Sequence, residues 1–481
     1  MTRLLLLNSP FLPKYSRSSR SPAVTKSGTI YYPLWLAHAT GLLEKRGHEV
    51  LLLDVPARGG GLADYRERIV AFNPDIIVVD TSTPSIESDV ACLATLKGWF
   101  ADRKVGVLVG THPTALVHET FALSPAIDVI ARGEYDWTLA DLADRGGMPD
   151  GVPGLSWRRD GRVVDNPDRP PAENLDELPF VSAVYKKHLV ITDYFYAHCR
   201  NPVVSIFAGR GCPNRCFYCV YPQVMFGHRY RHRSVAHVVD ELAYIERELP
   251  EVREVLIDDD NFTADQAFVA EVCREIIRRG VRVVWTAEVR VNLQYDVMCL
   301  MRDAGCRLLV AGFESGDQGV LTAINKNATV EQARRFMRDA RRAGLRVHGC
   351  FMVGNRGETR ATMNATLRFA LELDPDTVQF FPLMVYPGTE AYRWASHNKL
   401  IVARSWREWL TAEGMHACVV KTGDLSPADL VDFCDHARRC FYLRPKYLLR
   451  KAWDVVTHPE EFGRTARAGV SLVKHLFRRH R

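Results

Sequence analysis

The stretch VVSIFAGRGCPNRCFYC, residues 203–219, joins an apolar run to a turn that holds Cys212, Cys216 and Cys219. A short apolar run that ends in glycine and polar residues predicts a buried β-strand. Three thiols within eight positions directly after a strand are dense for ordinary packed cysteines. The stretch therefore predicts a strand of an α/β fold with a thiolate site at its carboxyl end.

Three explanations of the cysteine turn compete with simple packing. A structural zinc site needs four closed ligands, and no nearby His or Cys pair at zinc spacing supplies the remainder. A disulfide framework does not suit a chain that we expect to be reduced. Soft thiolates hold iron, so an iron–sulfur cluster fits best. Three thiolates on a four-iron cluster leave one iron without a protein ligand, where a substrate or cofactor can bind.

Outward from this turn, the sequence repeats a strand followed by a helical pattern. Six such repeats indicate a (β/α)6 barrel, or most of a TIM-type barrel, over residues 196–400. The predicted strands are VVSIFAGRGC (203–212), EVLIDDD (254–260), VRVVWTAEV (281–289), CRLLVAGFE (306–314), LRVHGCFMVG (345–354) and TVQFFPLMVYP (377–387).

A second α/β series precedes the barrel. Its apolar runs alternate with helical patterns, which predicts a doubly wound, Rossmann-like parallel sheet over residues 1–150 with ligands at its carboxyl edge. The runs are LLLLN (4–8), EVLLLD (49–54), DIIVVD (75–80), KVGVLVG (104–110) and DVIARGE (128–134). Residues 151–195, rich in proline and glycine with a small hairpin at WRRDGRVV, predict a linker.

Composition sets the remaining bounds. The 481 residues carry a net charge of +6, a modest surplus that does not imply nucleic-acid binding. The sequence shows neither a signal peptide nor a run of about 18 apolar residues, so we expect a cytoplasmic protein with thiols. Residues 401–481 predict a helical C-terminal region. Its basic face, interleaved with apolar residues, suits either a packed cap or an anionic membrane surface.

The cysteine turn resembles that of the radical S-adenosylmethionine (SAM) family, whose pattern is Cys-x3-Cys-x-aromatic-Cys after the first barrel strand. Here the residues are CPNRCFYC, with Tyr218 as the aromatic. The resemblance implies a [4Fe-4S] cluster on Cys212, Cys216 and Cys219, with SAM chelated at the open iron. It also implies that reduction cleaves SAM to a 5′-deoxyadenosyl radical, which abstracts hydrogen from an unactivated carbon.

The same resemblance implies residues that bind SAM. The turn DDDNFT stands where the family has a GGE motif for the SAM amino group, so one of Asp258, Asp259 and Asp260 is expected there. On TAEVRVN, Glu288, Arg290 and Asn292 alternate and are expected on one side of a strand, facing either ligand or a buried ion pair. GFESGDQ resembles a glycine-containing strand motif near SAM, with Glu314 and Ser315 as its polar candidates.

The first domain resembles the cobalamin-binding domain of B12-dependent radical SAM enzymes. The resemblance rests on DTSTPS, GTHPTA and RGEYDWTL at successive strand ends, and it implies cobalamin contacts at Ser82, Thr83, Gly110, His112, Gly133 and Glu134. The B12 motif Asp-x-His-x-x-Gly is absent from the turn NSPFLPKY, so that motif supplies no histidine to cobalt. We expect His112 beside the nucleotide tail, or held by backbone groups.

The segment YPQVMFGHRYRHRS (221–234) resembles a hopanoid-associated subgroup that forms a cyclitol on a lipid. Its Gln223, His228, Arg229, Arg231 and Arg233 suit an anionic or polyhydroxylated substrate, or pair with the DDDN carboxylates and other nearby carboxylates.

Three functions follow as hypotheses: methyl transfer to an unactivated carbon, ring rearrangement or cyclisation of a lipid- or sugar-linked substrate, and a noncatalytic cobalamin sensor. The enzyme hypotheses imply a small-molecule or lipid-linked substrate and an electron donor such as flavodoxin or ferredoxin.

Overall fold

A computed structural model describes residues 1–457. The chain forms two mainly parallel sheets joined by residues 166–202, followed by a C-terminal segment that packs on both. In this described part, no helix has the length and apolar character needed to cross a membrane.

The first sheet has seven strands in the order β2-β1-β3-β4-β5-β6-β7. Strands β1 to β5 pair in parallel, whereas β6 and β7 continue the sheet as an antiparallel hairpin. The strands are β1 (Arg3–Asn8), β2 (Glu49–Asp54), β3 (Ile76–Thr81), β4 (Val105–Gly110), β5 (Val129–Ala131), β6 (Leu155–Arg159) and β7 (Arg162–Asp165). The predicted parallel sheet is confirmed.

Helices cover both faces of this sheet, as its uninterrupted apolar strands require. On β1, Leu5 and Leu7 enter the core on one face, while Leu4 and Leu6 enter the larger core that continues toward the second sheet. The helices are α1 (Leu34–Lys45), α2 (Val55–Arg58), α3 (Arg66–Phe72), α4 (Ile86–Lys97), α5 (Thr111–Ala115), α6 (Val117–Ala122) and α7 (Asp136–Asp144).

The second sheet is the open barrel. Its six parallel strands lie in chain order, with β8 and β15 at the two ends. They are β8 (Val203–Ile206), β11 (Glu254–Ile257), β12 (Trp285–Val289), β13 (Cys306–Glu314), β14 (Arg346–Val353) and β15 (Thr377–Pro382). Between β8 and β11, the short antiparallel ribbon β9 (Gly209–Arg210) and β10 (Arg231–His232) encloses the cysteine turn.

The barrel helices alternate with these strands, as predicted. They are α9 (Val235–Glu248), α10 (Gln266–Arg279), α11 (Tyr295–Asp303), α12 (Gln318–Ala323), α13 (Val330–Ala343), α14 (Arg360–Leu373) and α15 (Glu390–His397). The helix before the barrel is α8 (Val181–His188), and those after it are α16 (Pro427–Tyr442) and α17 (Pro445–Thr457).

The structure differs from the expected domain bounds in two places. The hairpin predicted inside the linker belongs to the first sheet, because β6 pairs with β5 through Val129 and Trp157. Residues 401–425, placed within the helical C-terminal region, form a loop with isolated bridges such as Ile401 to Val420. The helices expected from residue 426 onward are present as α16 and α17. The part of the predicted helical tail beyond residue 457, with its basic residues, lies outside the described residues.

An excursion between β1 and α1, residues 9–33, contains no helix or extended strand. It crosses from the first sheet to the barrel, where Ile30 pairs with Phe195. Val24 donates its backbone N–H to the carbonyl of Gly414 at 2.7 Å, so the excursion also contacts the C-terminal loop. The excursion therefore brings N-terminal side chains to the mouth of the barrel.

Candidate active site

The cysteine turn lies at the carboxyl end of β8. Cys212 and Cys216 are buried, and Cys219 is half-buried. The backbone of the turn is tied to the barrel, since Phe217 N–H donates to the carbonyl of Ile324 at 3.1 Å. The predicted position of the three thiols, directly after the first barrel strand, matches the structure.

Two side chains hold the turn through its backbone carbonyls. The Gln223 amide nitrogen lies 3.2, 3.1 and 2.9 Å from the carbonyls of Cys216, Phe217 and Cys219, while its oxygen accepts from Glu390 N–H at 2.8 Å. His228 Nδ1 lies 3.3 Å from the carbonyl of Cys212. These contacts shape the turn without using the sulfur atoms.

Polar donors also reach the sulfurs. Asn214 Nδ2 lies 3.4 Å from Cys212 Sγ, and Arg290 Nη1 lies 3.5 Å from Cys216 Sγ. Burial raises the pKa of Cys212 and raises that of Cys219 well above its ordinary value, so a metal is needed to hold thiolates there. Donors aimed at sulfur suit ligands that carry negative charge.

Within residues 1–457, no three His, Cys, Asp or Glu side chains converge on the position of a single metal ion. A four-iron cluster places each thiolate on a different iron, so its cysteines need not converge in that way. The turn therefore fits a cluster held by Cys212, Cys216 and Cys219.

Next to the turn, three carboxylates surround one arginine of the N-terminal excursion. Arg20 Nη1 lies 2.8 Å from Asp258 Oδ1 and 3.5 Å from Glu288 Oε1, and its Nε lies 3.6 Å from Asp260 Oδ1. Its Nη2 also donates to the carbonyl of Asp259 at 2.7 Å. We call Asp258, Asp260, Glu288 and Arg20 the carboxylate cluster.

The carboxylate cluster is charged and only partly shielded. Burial alone would lower the pKa of Arg20, but Glu288, Asp258 and Asp260 raise it well above its ordinary value. Burial raises the pKa of Glu288 to about 7, against the opposite influence of Arg20. Three acidic groups thus share one cation, and the cluster can accept a second positive group such as an ammonium.

The other residues predicted to bind SAM lie around this cluster but have partners of their own. Asp259 accepts from Ala208 N–H and from Tyr230 OH, both at 2.7 Å. Glu314 pairs with Lys326 at 2.7 Å. Ser315 is buried and hydrogen-bonds Thr366 Oγ1 at 3.1 Å. Their SAM contacts stay predictions, and the geometry favours Asp258, Asp260 and Glu288.

The expected polar row on β12 is only partly formed. The strand ends at Val289, so the alternation that would place three side chains on one side stops there. Glu288 joins the carboxylate cluster and Arg290 turns to the cysteine turn, but Asn292 is exposed. Asn292 lies beyond the end of the strand, and its place beside the other two stays a prediction. Tyr218 is half-buried within the cysteine turn.

A cleft separates the carboxyl edge of the first sheet from the barrel. It encloses about 400 Å³, including space open to solvent. Asp80, Thr81, Gly110 and Thr111 line one side, and Val220, Tyr221, Met225 and Tyr386 line the other. Arg20 borders the cleft as well. Ligands of open parallel sheets bind at this edge, so a cofactor held by the first domain is expected between the two domains.

Of the six residues predicted to bind cobalamin, Gly110 borders the cleft. Its φ of 118° and its contact with the Thr81 carbonyl, 2.4 Å from an added Cβ, require glycine there. The place of a Cβ is taken up by β3, so packing of the two strands requires the glycine. The fit to cobalamin rests on the position of Gly110 at a strand end that lines the cleft, and its contact with the cofactor stays a prediction.

The remaining five lie behind the cleft or to one side. His112 is buried, with Nδ1 3.2 Å from Thr83 Oγ1 and its ring edge-to-face with Trp406 at 5.0 Å. Ser82 bonds Tyr15 OH at 2.7 Å. Gly133 N–H donates to Thr114 Oγ1, and Glu134 pairs with Arg210 at 2.6 Å. Their cobalamin contacts stay predictions.

The basic segment after the cysteine turn pairs with carboxylates other than the predicted DDDN group. Arg231 contacts Glu134 at 3.0 Å, Arg233 contacts Glu241 at 2.5 Å, and Arg229 contacts Glu173 at the surface. The first two pairs are buried; the Arg231 pair joins the barrel to the first domain, and the Arg233 pair lies within the barrel. The expected pairing with nearby carboxylates is therefore seen, although the partners are glutamates rather than the DDDN aspartates, and Gln223 and His228 support the cysteine turn.

Sequence reasoning missed Arg20 and Lys326. Arg20 lies in SRSSRSP, which carries no recognised pattern, and its partner Asp258 is 238 positions away. Lys326 follows α12, and its contact with Glu314 depends on the fold. The only indication in the sequence of a role for Lys326 was its position shortly after a predicted polar strand end.

Taken together, a parallel-sheet domain, an open barrel and a three-cysteine turn define a cobalamin-dependent radical SAM enzyme. The Radical SAM superfamily model matches residues 206–370, and the B12 binding domain model matches residues 20–143. The chain belongs to the B12-binding members of the Radical SAM superfamily, and its cofactors are a [4Fe-4S] cluster, SAM and cobalamin.

Two relatives and one solved structure show how far the similarity extends. An uncharacterized methyltransferase of Pyrococcus horikoshii is 31% identical over 89% of this chain and 91% of its own length. An anaerobic magnesium-protoporphyrin IX monomethyl ester cyclase of Rubrivivax gelatinosus is 29% identical over 75% and 66%. The fold matches the radical SAM methyltransferase TsrM of Kitasatospora setae, with a TM-score of 0.67, 20% identity, and coverage of 91% and 90%.

Proposed function

We propose that the enzyme transfers a methyl group to an unactivated carbon of a small-molecule or lipid-linked substrate. The observation that supports this most is the shared border of two sites. Arg20 lines the cleft suited to cobalamin and also contacts Asp258, Asp260 and Glu288 beside the cysteine turn. The relative of 31% identity, named a methyltransferase, supports the same function.

The residues of the chain have distinct tasks in this proposal. Cys212, Cys216 and Cys219 hold the cluster, and Asn214 and Arg290 donate to two of the sulfurs. The carboxylates of the carboxylate cluster accept hydrogen bonds from the amino group of SAM. When bound, the [4Fe-4S] cluster and SAM together supply the chemistry of hydrogen abstraction from the substrate carbon, and cobalamin supplies the methyl group. Bound cofactors and substrate would displace water from the space between the two domains.

A second candidate is ring formation on a lipid- or sugar-linked substrate. Its support is the cyclase of 29% identity that matches three quarters of this chain. The resemblance of residues 221–234 to a cyclitol-forming subgroup points the same way. For either reaction we propose flavodoxin or ferredoxin as the electron donor. We propose the cytoplasm as the location, because a cluster held by thiolates suits a reducing compartment.

The test does not need the substrate. The full chain is reconstituted without oxygen with iron, sulfide and hydroxocobalamin, then given SAM labelled with a CD3 group and a chemical reductant. We expect 5′-deoxyadenosine and transfer of the CD3 label to the corrinoid, measured by mass spectrometry. 5′-Deoxyadenosine without label transfer would support ring formation, and neither product would support a noncatalytic sensor.

A pair of cysteine variants provides the control. Cys216→Ala should lose the brown absorbance of the cluster and at least half of the bound iron, and should leave SAM intact. Cys440→Ala removes a thiol that lies on α16, away from the turn, and should behave as the wild type. Equal iron content in the two variants would contradict the assignment of the cluster to the turn.

A further inference from the structure

Helix α17 presents an apolar face to solvent. Leu448, Leu449, Trp453 and Val456 are 53%, 72%, 68% and 72% exposed. Leu449, Trp453 and Val456 follow at spacings of four and three, so they lie on one side of the helix. We call these four residues the tail face. In the described residues, the exposed large apolar side chains outside helix α17 and the preceding Leu443 are scattered singly.

The opposite side of the helix is fastened to the barrel. Tyr447 is buried and packs against Phe441 and Tyr442, with ring centres 5.5 and 5.1 Å apart. Arg444 and Arg450 reach Asp374, at the end of α14, at 2.8 and 3.3 Å. The orientation of the tail face is therefore fixed by contacts on the other side of α17.

Positive charge accumulates in the same part of the chain. Residues 441–481 contain ten Lys and Arg against three acidic residues, a net charge of +7, whereas the whole chain carries +6. The preceding 440 residues are thus close to neutral. Four of the ten basic residues lie on or beside α17, among them Lys446, whose side chain is 77% exposed. The other six lie beyond the described residues.

We propose that the tail face binds the surface of an anionic lipid bilayer. An apolar stripe that contains a tryptophan, next to concentrated positive charge, is the composition of helices that lie in the membrane interface. A second copy of the chain suits this face less well, because dimerisation would bring two segments of charge +7 together. This proposal does not depend on the reaction, although a bilayer would present a lipid-linked substrate.

The test measures sedimentation of the full-length protein with vesicles. We expect binding to vesicles of phosphatidylglycerol and phosphatidylcholine, and at least tenfold weaker binding to phosphatidylcholine alone. Binding to the anionic vesicles should weaken as salt rises, because surface charges are screened. Equal binding to both vesicle types, or none to either, would overturn the proposal.

Two matched variants test the face itself. Leu449→Glu combined with Trp453→Glu should reduce binding to anionic vesicles at least tenfold, and should leave 5′-deoxyadenosine formation in solution unchanged. Ile277→Glu combined with Val402→Glu places the same charges at other exposed apolar positions and should bind as the wild type. Size-exclusion chromatography with light scattering is run on both; loss of a dimer in the tail-face variant without loss of vesicle binding would show that the face pairs two copies instead.

Discussion

Two arginines three positions apart in the N-terminal excursion have opposite surroundings. The Arg17 side chain is fully buried within the first domain, where Nη2 pairs with Asp89 at 2.7 Å and Nε donates to Ser85 Oγ at 3.3 Å. The Arg20 side chain is 27% exposed and is shared among three carboxylates of the other domain. The first arrangement has one acidic group for one cation and is closed. Both arginines border the cleft, but the second is partly exposed and has an excess of acidic groups, so it can receive a ligand.

The largest effect is expected for Arg17→Met. Removing one partner of a buried ion pair leaves the other charge unsatisfied, so the free energy of unfolding should fall by about 3–5 kcal/mol. Urea denaturation of the apoprotein measures this loss. Combining Arg17→Met with Asp89→Leu removes both charges and should restore much of it. A loss below about 1 kcal/mol in the single variant would mean that the network is not closed.

Arg20→Met should have a smaller effect on stability, about 1 kcal/mol, because water reaches this side chain. Its main effect is expected on the pKa of the neighbouring carboxyl group of Glu288. Arg20 lowers the pKa of Glu288, which is about 7 in the wild type, so the variant should raise that pKa further. If the carboxylates bind SAM, the pH at which binding is half-maximal should move upward by at least about half a unit. Equilibrium dialysis of reconstituted protein measures it, and Arg20→Lys, which keeps the charge, serves as the control.

Glu288→Gln tests the pH dependence of stability. The pKa of Glu288 in the folded chain is about 7, above its ordinary value of 4.5, so its stabilising contribution is complete below pH 4.5 and is lost as the pH rises through 7. Glutamine does not titrate. Relative to the wild type, the variant should therefore gain on the order of 1–2 kcal/mol between pH 5 and pH 8. Denaturation midpoints at both pH values measure the gain, and a constant difference would contradict the raised pKa.

The same measurement applies to the region of Arg17. Burial raises the pKa of Asp80, which lines the cleft, to about 7. Asp80→Asn should accordingly show a gain of the same sign and over the same pH range. If one variant gained stability over this pH range and the other lost it, the carboxyl pKa values of the two regions would be shifted in opposite directions.

The smallest effect is expected for Tyr230→Phe, which removes one hydrogen bond to Asp259. The free energy of unfolding should fall by about 1 kcal/mol. The affinity for SAM, measured by equilibrium dialysis, should stay within twofold of the wild type if Asp259 serves structure alone. A large loss of affinity would indicate that Asp259 contacts SAM.

Much of the fold follows from local pattern. The apolar runs of both series became strands, with β1 at Arg3–Asn8 where residues 4–8 were expected and β13 at Cys306–Glu314 as expected. Patterns failed where tertiary pairing decides. WRRDGRVV formed its hairpin, yet it extends the first sheet because its backbone groups pair with β5. Strand β12 begins only at Trp285, although the apolar run begins at Val281.

The candidate site likewise combines features that local sequence predicts with features that only tertiary contacts create. The cysteine spacing and the acidic turn after β11 are local features, and both lie in the site. Arg20 is brought there by a 25-residue excursion whose conformation depends on contacts with Phe195 and Gly414. Neither periodicity nor spacing encodes such contacts. Glu134, placed by sequence at a strand end near cobalamin, instead holds Arg210 and Arg231 across the domain boundary.

The contacts of the Gln223 amide with three carbonyls of the cysteine turn have a consequence for how the iron–sulfur cluster is assembled. Because the amide contacts the main chain and leaves the thiols available to iron, we expect the cysteine turn to take its shape when the polypeptide folds. We therefore expect folding and metal loading to be separate events, so that a centre destroyed by oxygen can be rebuilt without unfolding the barrel.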